Sequence, residues 1–173
     1  HQNALVLAPG AKFRLVADEL KLPVFEVDLR RPWLPRVRRG LRAAVGSQQP
    51  DVLHYGCGRS LLWAGWLCRR MEVGLKITTR RIDYPIRNTP WRGGRYRSLV
   101  DHVVANCESV RHRVLAVGVP PDRVTLVHEG IALEPWQGAL ADRAAARERL
   151  AIDADRIVLS CAASLRPRKG QHV

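Results

Sequence analysis

Lysine is almost missing from this chain. Of its 29 basic residues only Lys12, Lys21, Lys76 and Lys169 are lysines, so the net charge of +13 rests on arginine. No apolar run comes near the ~18–20 residues of a bilayer span, which excludes a membrane-crossing helix. No signal-peptide pattern appears at the front. Cys57, Cys68, Cys107 and Cys161 are far apart and form no CxxC pair, so a zinc site is not expected. All four fall in or beside apolar patterns, which predicts buried thiols in a reducing compartment. Walker and Rossmann glycine fingerprints are absent. Helix-turn-helix, RRM and OB signatures are absent too, and aromatics make up only 6% of the chain, so nucleic acid is not the expected partner. The charge itself has two readings. It is either attraction to an anionic surface or a compositional preference for arginine on solvated faces.

What is present centres on the stretch from Asp101 to Ile131. Residues 102–106 form a short apolar run that predicts a buried parallel strand. Val110, Val114, Leu115 and Val117 then fall on one side of a helix. Gly118 stands at the C-terminal cap position, and Pro120-Pro121 forbids continuation. A second strand is expected from Arg123 to Gly130. Strand, crossover helix and strand in so short a stretch predict a right-handed parallel βαβ unit. Ligands in such sheets sit beyond the carboxyl ends of the strands. That edge would hold Asn106, Cys107, Glu108, His128, Glu129 and Gly130.

The same rhythm runs through the rest of the chain. Residues 4–8 predict a strand, and the segment after it a helix with Phe13, Leu15, Val16 and Leu20 turned inward. Residues 22–29 predict another strand. From Arg30 to Gly46 a thin apolar stripe of Leu34, Val37, Leu41 and Val45 is surrounded by Arg36, Arg38, Arg39 and Arg42, with Trp33 at the entrance. This is either an outer helix with a solvated basic face or one that meets anionic headgroups. Residues 51–55 predict a buried strand. Gly56, Gly58 and Ser60 then form a small-residue loop whose backbone N–H groups suit an anion. A nearly all-apolar helix follows, in which Trp63 and Trp66 read as core or wall. Residues 74–79 predict the next strand, which ends in a long loop bearing Arg80, Arg81 and Asp83 and then Arg87, Arg92, Arg95 and Arg97. Asp83 either serves a site or pairs with a neighbouring arginine to hold the loop. Residues 131–142 read as a linker, 142–150 as a helix, and 156–173 as the opening of a second βαβ unit.

Several of these stretches resemble nucleotide-sugar glycosyltransferases of the GT-B fold, family four in particular. From Asp101 onward the chain keeps that family's Glu108, Gly118, Val119-Pro120-Pro121, Val124, Gly130 and Ile131. It departs with Cys107 for the usual Ser, Glu129 for Asn and Ala132 for Asp. His54 matches the first histidine of the family's "pDvvHaHs" pattern, while Gly56 replaces the second. The "RRxDyP" pattern of a subset recurs as Arg80, Arg81 and Asp83. Lys169 to Val173 matches the start of the family's donor domain. Lys169 stands in the phosphate-binding position, and Ser164 stands where an arginine is usual.

The resemblance implies a three-layer, Rossmann-like α/β sandwich with a mainly parallel sheet, the GT-B N-terminal domain, followed by a truncated second α/β domain. The expected bounds are 1–132 for the acceptor domain, 133–155 for linker and helix, and 156–173 for the start of the donor domain, read as a fragment cut at both ends. The implied chemistry is sugar transfer from a nucleotide-diphosphate sugar to an acceptor hydroxyl, with no cofactor and no obligatory metal. Lys169, Arg166 and Gly130 would hold the donor phosphates. Arg80, Arg81, Asp83 and Glu108 would face the acceptor, and His54 and Asp83 are the catalytic candidates. A cell-envelope glycolipid or saccharide, such as a lipopolysaccharide core, is the expected acceptor, and the enzyme would work in the cytoplasm or on the inner membrane face. The contrasting expectation is a non-catalytic basic module for nucleic acid or anionic lipid.

Overall fold

A computed structural model of the chain describes residues 2–138 and 142–163. It divides into two compact units, His1–Glu129 and Gly130–Val173. The first unit alternates strand and helix: β1 Leu5–Leu7, α1 Phe13–Glu19, β2 Val24–Glu26, α2 Pro35–Gln48, β3 Val52–Tyr55, α3 Gly58–Cys68, β4 Leu75–Arg80, α4 Gly94–Ser98, β5 His102–Ala105, α5 Glu108–Leu115 and β6 Val124–Leu126. Every strand pairing is parallel. β1 pairs with β2 in one small sheet, and β3-β4-β5-β6 form a second, in sequence order. Sequential order with right-handed crossovers puts α3, α4 and α5 on the same side of the four-stranded sheet. This is the α/β, Rossmann-like parallel architecture that the sequence implies.

The core lies on that helix-covered side. Tyr55, Val103, Ala105 and Val124 point into it from the strands, Leu61, Ala64, Leu67 and Cys68 from α3, and Val110 and Val114 from α5. Thr78, the buried polar residue on this side, donates its hydroxyl to the Tyr55 carbonyl at 2.8 Å. A buried hydroxyl without such a partner would cost about 1–3 kcal/mol. α2 buries Val37, Leu41, Ala44 and Val45 and turns its arginines to solvent. Gly118 ends the α5 segment at φ +80°, a left-handed cap that an L side chain adopts only at a cost.

Five local expectations are corrected. Phe13, Leu15, Val16 and Leu20 are exposed, and within α1 only Ala17 is buried; the two-stranded β1–β2 sheet that α1 packs on is too small to cover a wider apolar face. Of residues 51–55 only Tyr55 is buried, since β3 is an edge strand covered from one side. β6 stops at Leu126 and does not run on to Gly130. Cys57 and Cys161 are exposed, Cys107 is half-buried and Cys68 alone is buried. In the second unit, α6 spans Arg143–Arg149 as expected, yet Arg156–Ala163 forms no strand. A parallel strand needs a neighbour to complete its ladder, and this unit offers none among the described residues. Ile157 and Leu159 stay almost fully exposed as a result.

Candidate functional site

The carboxyl ends of β3, β4, β5 and β6 share one edge of the sheet, and the polar residues gather there. Strand alternation sorts them onto two sides. On the side away from the helices, His54 Nε2 lies 2.9 Å from Thr79 Oγ1, joining β3 to β4. Arg81, which follows β4, forms a 2.7 Å ion pair with Glu129, which follows β6. That bridge spans the end of β5, so together with the His54 contact it ties the ends of β3, β4 and β6. Both side chains are more than half exposed, with the guanidinium and carboxylate open to a ligand. Partial desolvation, and then the nearby Arg81 charge, hold the His54 imidazole below its ordinary pKa. The ring is therefore neutral at pH 7 and able to accept a proton.

On the helix side the same loop is tied down. Arg80 donates to the Tyr96 hydroxyl at 3.0 Å and to the Tyr84 carbonyl at 2.6 Å, and lies 5.8 Å from the Tyr96 ring centre. Asp83 accepts from Arg113 Nε at 3.2 Å. Hydrogen bonds from Ser109 and then Arg113 hold its carboxyl below the usual carboxylate range. The pair Arg80 and Asp83 thus anchors the loop to α4 and α5, while Arg81 between them projects to the open side. Glu108, in the first turn of α5, pairs with Arg111 at 3.4 Å. Arg123 donates to the carbonyls of Asp101 at 2.8 Å and Arg97 at 3.2 Å and to that of Val100. Arg97 donates to Asn88 Oδ1 at 2.8 Å and to the Val117 carbonyl. Much of the arginine in this region holds backbone in place.

The Gly56–Gly58 loop meets the same edge as the N-terminus of α3. Cys57 caps that helix: its N–H donates to Ser60 Oγ at 3.0 Å, and the Ser60 N–H donates to its sulfur at 3.4 Å. Desolvation raises the thiol pKa, but bonds from Ser60 and Arg59 outweigh it and leave the value lowered. Arg95 clamps the loop by donating to the Gly58 carbonyl at 2.9 Å, and a Cβ at position 58 would come within 3.3 Å of its guanidinium. Asn106, at the end of β5, carries a buried Oδ1 with no partner among the described residues. Gly130 opens the second unit, where a Cβ would meet nothing within 4 Å. Lys169, Arg166 and Ser164 lie outside the described residues. Among the described residues no group of three His, Cys, Asp or Glu stands close enough to hold a metal ion, and no helix is long and apolar enough to cross a membrane.

This constellation, an arginine and a neutral histidine at the carboxyl edge of a parallel sheet, coincides with a family match. Residues 3–135 fit the model of Glycosyltransferase Family 4. The chain belongs to that family. The chain is also similar in fold to HepE of Anabaena. It matches the structure of HepE in complex with UDP at a TM-score of 0.73 and 16% identity, covering 96% of this chain and 47% of the other. HepE in complex with UDP-glucose matches at 0.67 and 14%, and HepE in complex with UDP and glucose at 0.65 and 14%. At such identities the likeness is one of fold. This family-four chain spans about half the length of those chains. No curated protein sequence matches it. Sequence reasoning missed the Arg81–Glu129 pairing; for Asp83 it left open a site role or a loop-holding arginine, and Arg113 is an arginine that pairs with it. The signal for the missed pairing was the departure from Asn to Glu at position 129, a new carboxylate that needed a cation.

Proposed function

We propose that the protein carrying this chain transfers a sugar from a nucleotide-diphosphate sugar to an acceptor hydroxyl, and that this chain supplies the acceptor side. The observation that carries the reading is the family match over residues 3–135. In the reaction the acceptor oxygen bonds to the anomeric carbon, the bond from that carbon to the diphosphate breaks, and the hydroxyl proton leaves to a base. Arg81 and Glu129 fit acceptor recognition, since an exposed guanidinium and carboxylate side by side can meet sugar hydroxyls or a phosphate. His54 suits the proton acceptor better than Asp83 does. A neutral imidazole can take up the proton, whereas a carboxylate held low by Ser109 and Arg113 is a weak base. Lys169 and Arg166 are the proposed holders of the departing diphosphate, by charge stabilisation. Gly130 would let the backbone approach it.

The proposed reaction needs no metal, no cofactor, and a glycan or glycolipid acceptor of the cell envelope, worked on at the inner membrane face. HepE's complexes with UDP and UDP-glucose make uridine-diphosphate sugars the first donors to try. The test is release of nucleoside diphosphate from labelled donors in the presence of detergent-extracted envelope lipids and EDTA. Acceptor-dependent release that persists in EDTA is expected. Release that collapses on chelation would overturn the metal-free part of the reading.

A further inference from the structure

The open side of the carboxyl edge holds a group that the transfer reaction has not used. Asn106 follows Ala105, which is buried on the helix side, so its side chain falls on the opposite side with His54, Thr79 and Arg81. β4 and β5 pair at Arg80 and Ala105, and the Asn106 N–H donates to the Arg80 carbonyl at 3.4 Å. Arg81 and Asn106 therefore stand level on neighbouring strands, and the Arg81–Glu129 bridge crosses the strand that Asn106 ends. The Asn106 Oδ1 is sealed from solvent and has no donor among the described residues. Such atoms are rare in folded proteins, because an unpaired buried acceptor weakens the fold.

Charge on this side is balanced, in a protein that carries +13. Arg81 and Glu129 cancel at 2.7 Å, and the neutral His54 contacts Thr79. Arg80, the neighbouring cation, is turned to Tyr96 and Tyr84 on the helix side. Position 129 is also where the chain departs from its family's usual Asn, so the balance is this chain's own. Two independent observations then agree on the ligand. A phosphate or carboxylate would face the Glu129 charge and would have to take Arg81 from it. Nor could an ionised group satisfy Asn106, since it brings acceptor oxygens and no proton. A hydroxyl can donate to Asn106 Oδ1 or to Glu129, and can accept from Arg81. Both bridge side chains are more than half exposed, and such a pair parts at little cost to let hydroxyls between.

We infer that this edge selects an uncharged, polyhydroxyl saccharide end as acceptor, with Glu129 excluding phosphorylated and uronic sugars and Asn106 reading a further hydroxyl. The inference rests on the acceptor-side reading of the edge and names its substrate class. Its test is ligand-observed NMR binding to the protein carrying this chain, without donor. The probes are methyl glucoside, galactoside and mannoside, each against its uronate. At least one neutral hexoside should bind, and its uronate about tenfold more weakly, the scale of one like charge at close range. Glu129→Gln should erase that preference. Asn106→Leu should weaken hexoside binding about fivefold, the loss of one hydrogen bond, with no fall in the urea midpoint, because it removes an unpaired buried atom. A uronate bound as tightly as its hexoside, or a preference that survives Glu129→Gln, would overturn the inference. So would an Asn106→Leu variant that binds unchanged or unfolds earlier, or a protein that binds none of the hexosides. Binding is read without donor turnover, so a protein that binds hexosides yet releases no nucleoside diphosphate counts against transfer alone.

Discussion

At the sheet edge the His54 imidazole answers to its neighbours, and that answer can be titrated. His54 is held low by partial desolvation and by Arg81, so Arg81→Gln should move its NMR titration midpoint upward; an unmoved midpoint would place the guanidinium elsewhere. The linkage has a definite sign. A histidine with a lowered folded pKa stabilises the fold fully above about pH 6.5, and that contribution is lost as pH falls through the folded value. Removing Arg81 should therefore shift this loss to higher pH. The cysteines separate in the same way. Burial pushes the Cys68 thiol up to about 11, whereas Cys57 at the cap of α3 is lowered. At pH 8 iodoacetamide should alkylate Cys57 and spare Cys68, as mass spectrometry would show; equal labelling would contradict the packing of α3.

At the scale of elements, close backbone approach decides more than side-chain type. At the start of β4, a Cβ on Gly74 would stand 2.9 Å from the Asp51 carbonyl oxygen, the atom that accepts the first bond from Leu75 at 2.8 Å. Gly74→Ala should destabilise by about 1–3 kcal/mol in urea unfolding, as overpacking against fixed backbone does. Gly40, within α2 and with nothing within 4 Å of its Cβ position, should do the reverse and gain roughly 0.5–1 kcal/mol on change to Ala. Destabilisation in Gly40→Ala would contradict the exposed face of α2. The strands and helices of unit 1 were legible because periodicity and breakers act locally: the Val110–Val114 stripe and Gly118 are visible without a tertiary partner. The inward face assigned to α1 was not, because burial depends on how large a sheet lies beneath. The strand expected after Arg156 failed for a related reason, since a ladder needs a neighbour that periodicity cannot supply. At the site, Arg80, Arg81 and Asp83 stood out as a group. Only the pleat reveals that Arg81 faces away from the other two.

Across the whole molecule, one side of the sheet and its carboxyl edge carry different duties. The helix side holds the core and the arginine struts. The other side leaves His54, Thr79, Arg81 and Glu129 accessible at the edge where ligands of parallel sheets bind. The charge of +13 thus divides between backbone struts such as Arg97 and Arg123 and arginines turned to solvent, as on α2. The central claim is sugar transfer from a nucleotide-diphosphate donor with this chain on the acceptor side. It is tested most directly by nucleoside-diphosphate release from a panel of labelled nucleotide sugars, for the protein carrying this chain and its Lys169→Ala and Arg81→Ala variants. The account predicts acceptor-dependent release by the parent, about a hundredfold slower in Lys169→Ala, the scale of losing one charge-stabilising group. It predicts a raised acceptor KM in Arg81→Ala. No release or donor hydrolysis with any sugar in the panel would contradict it.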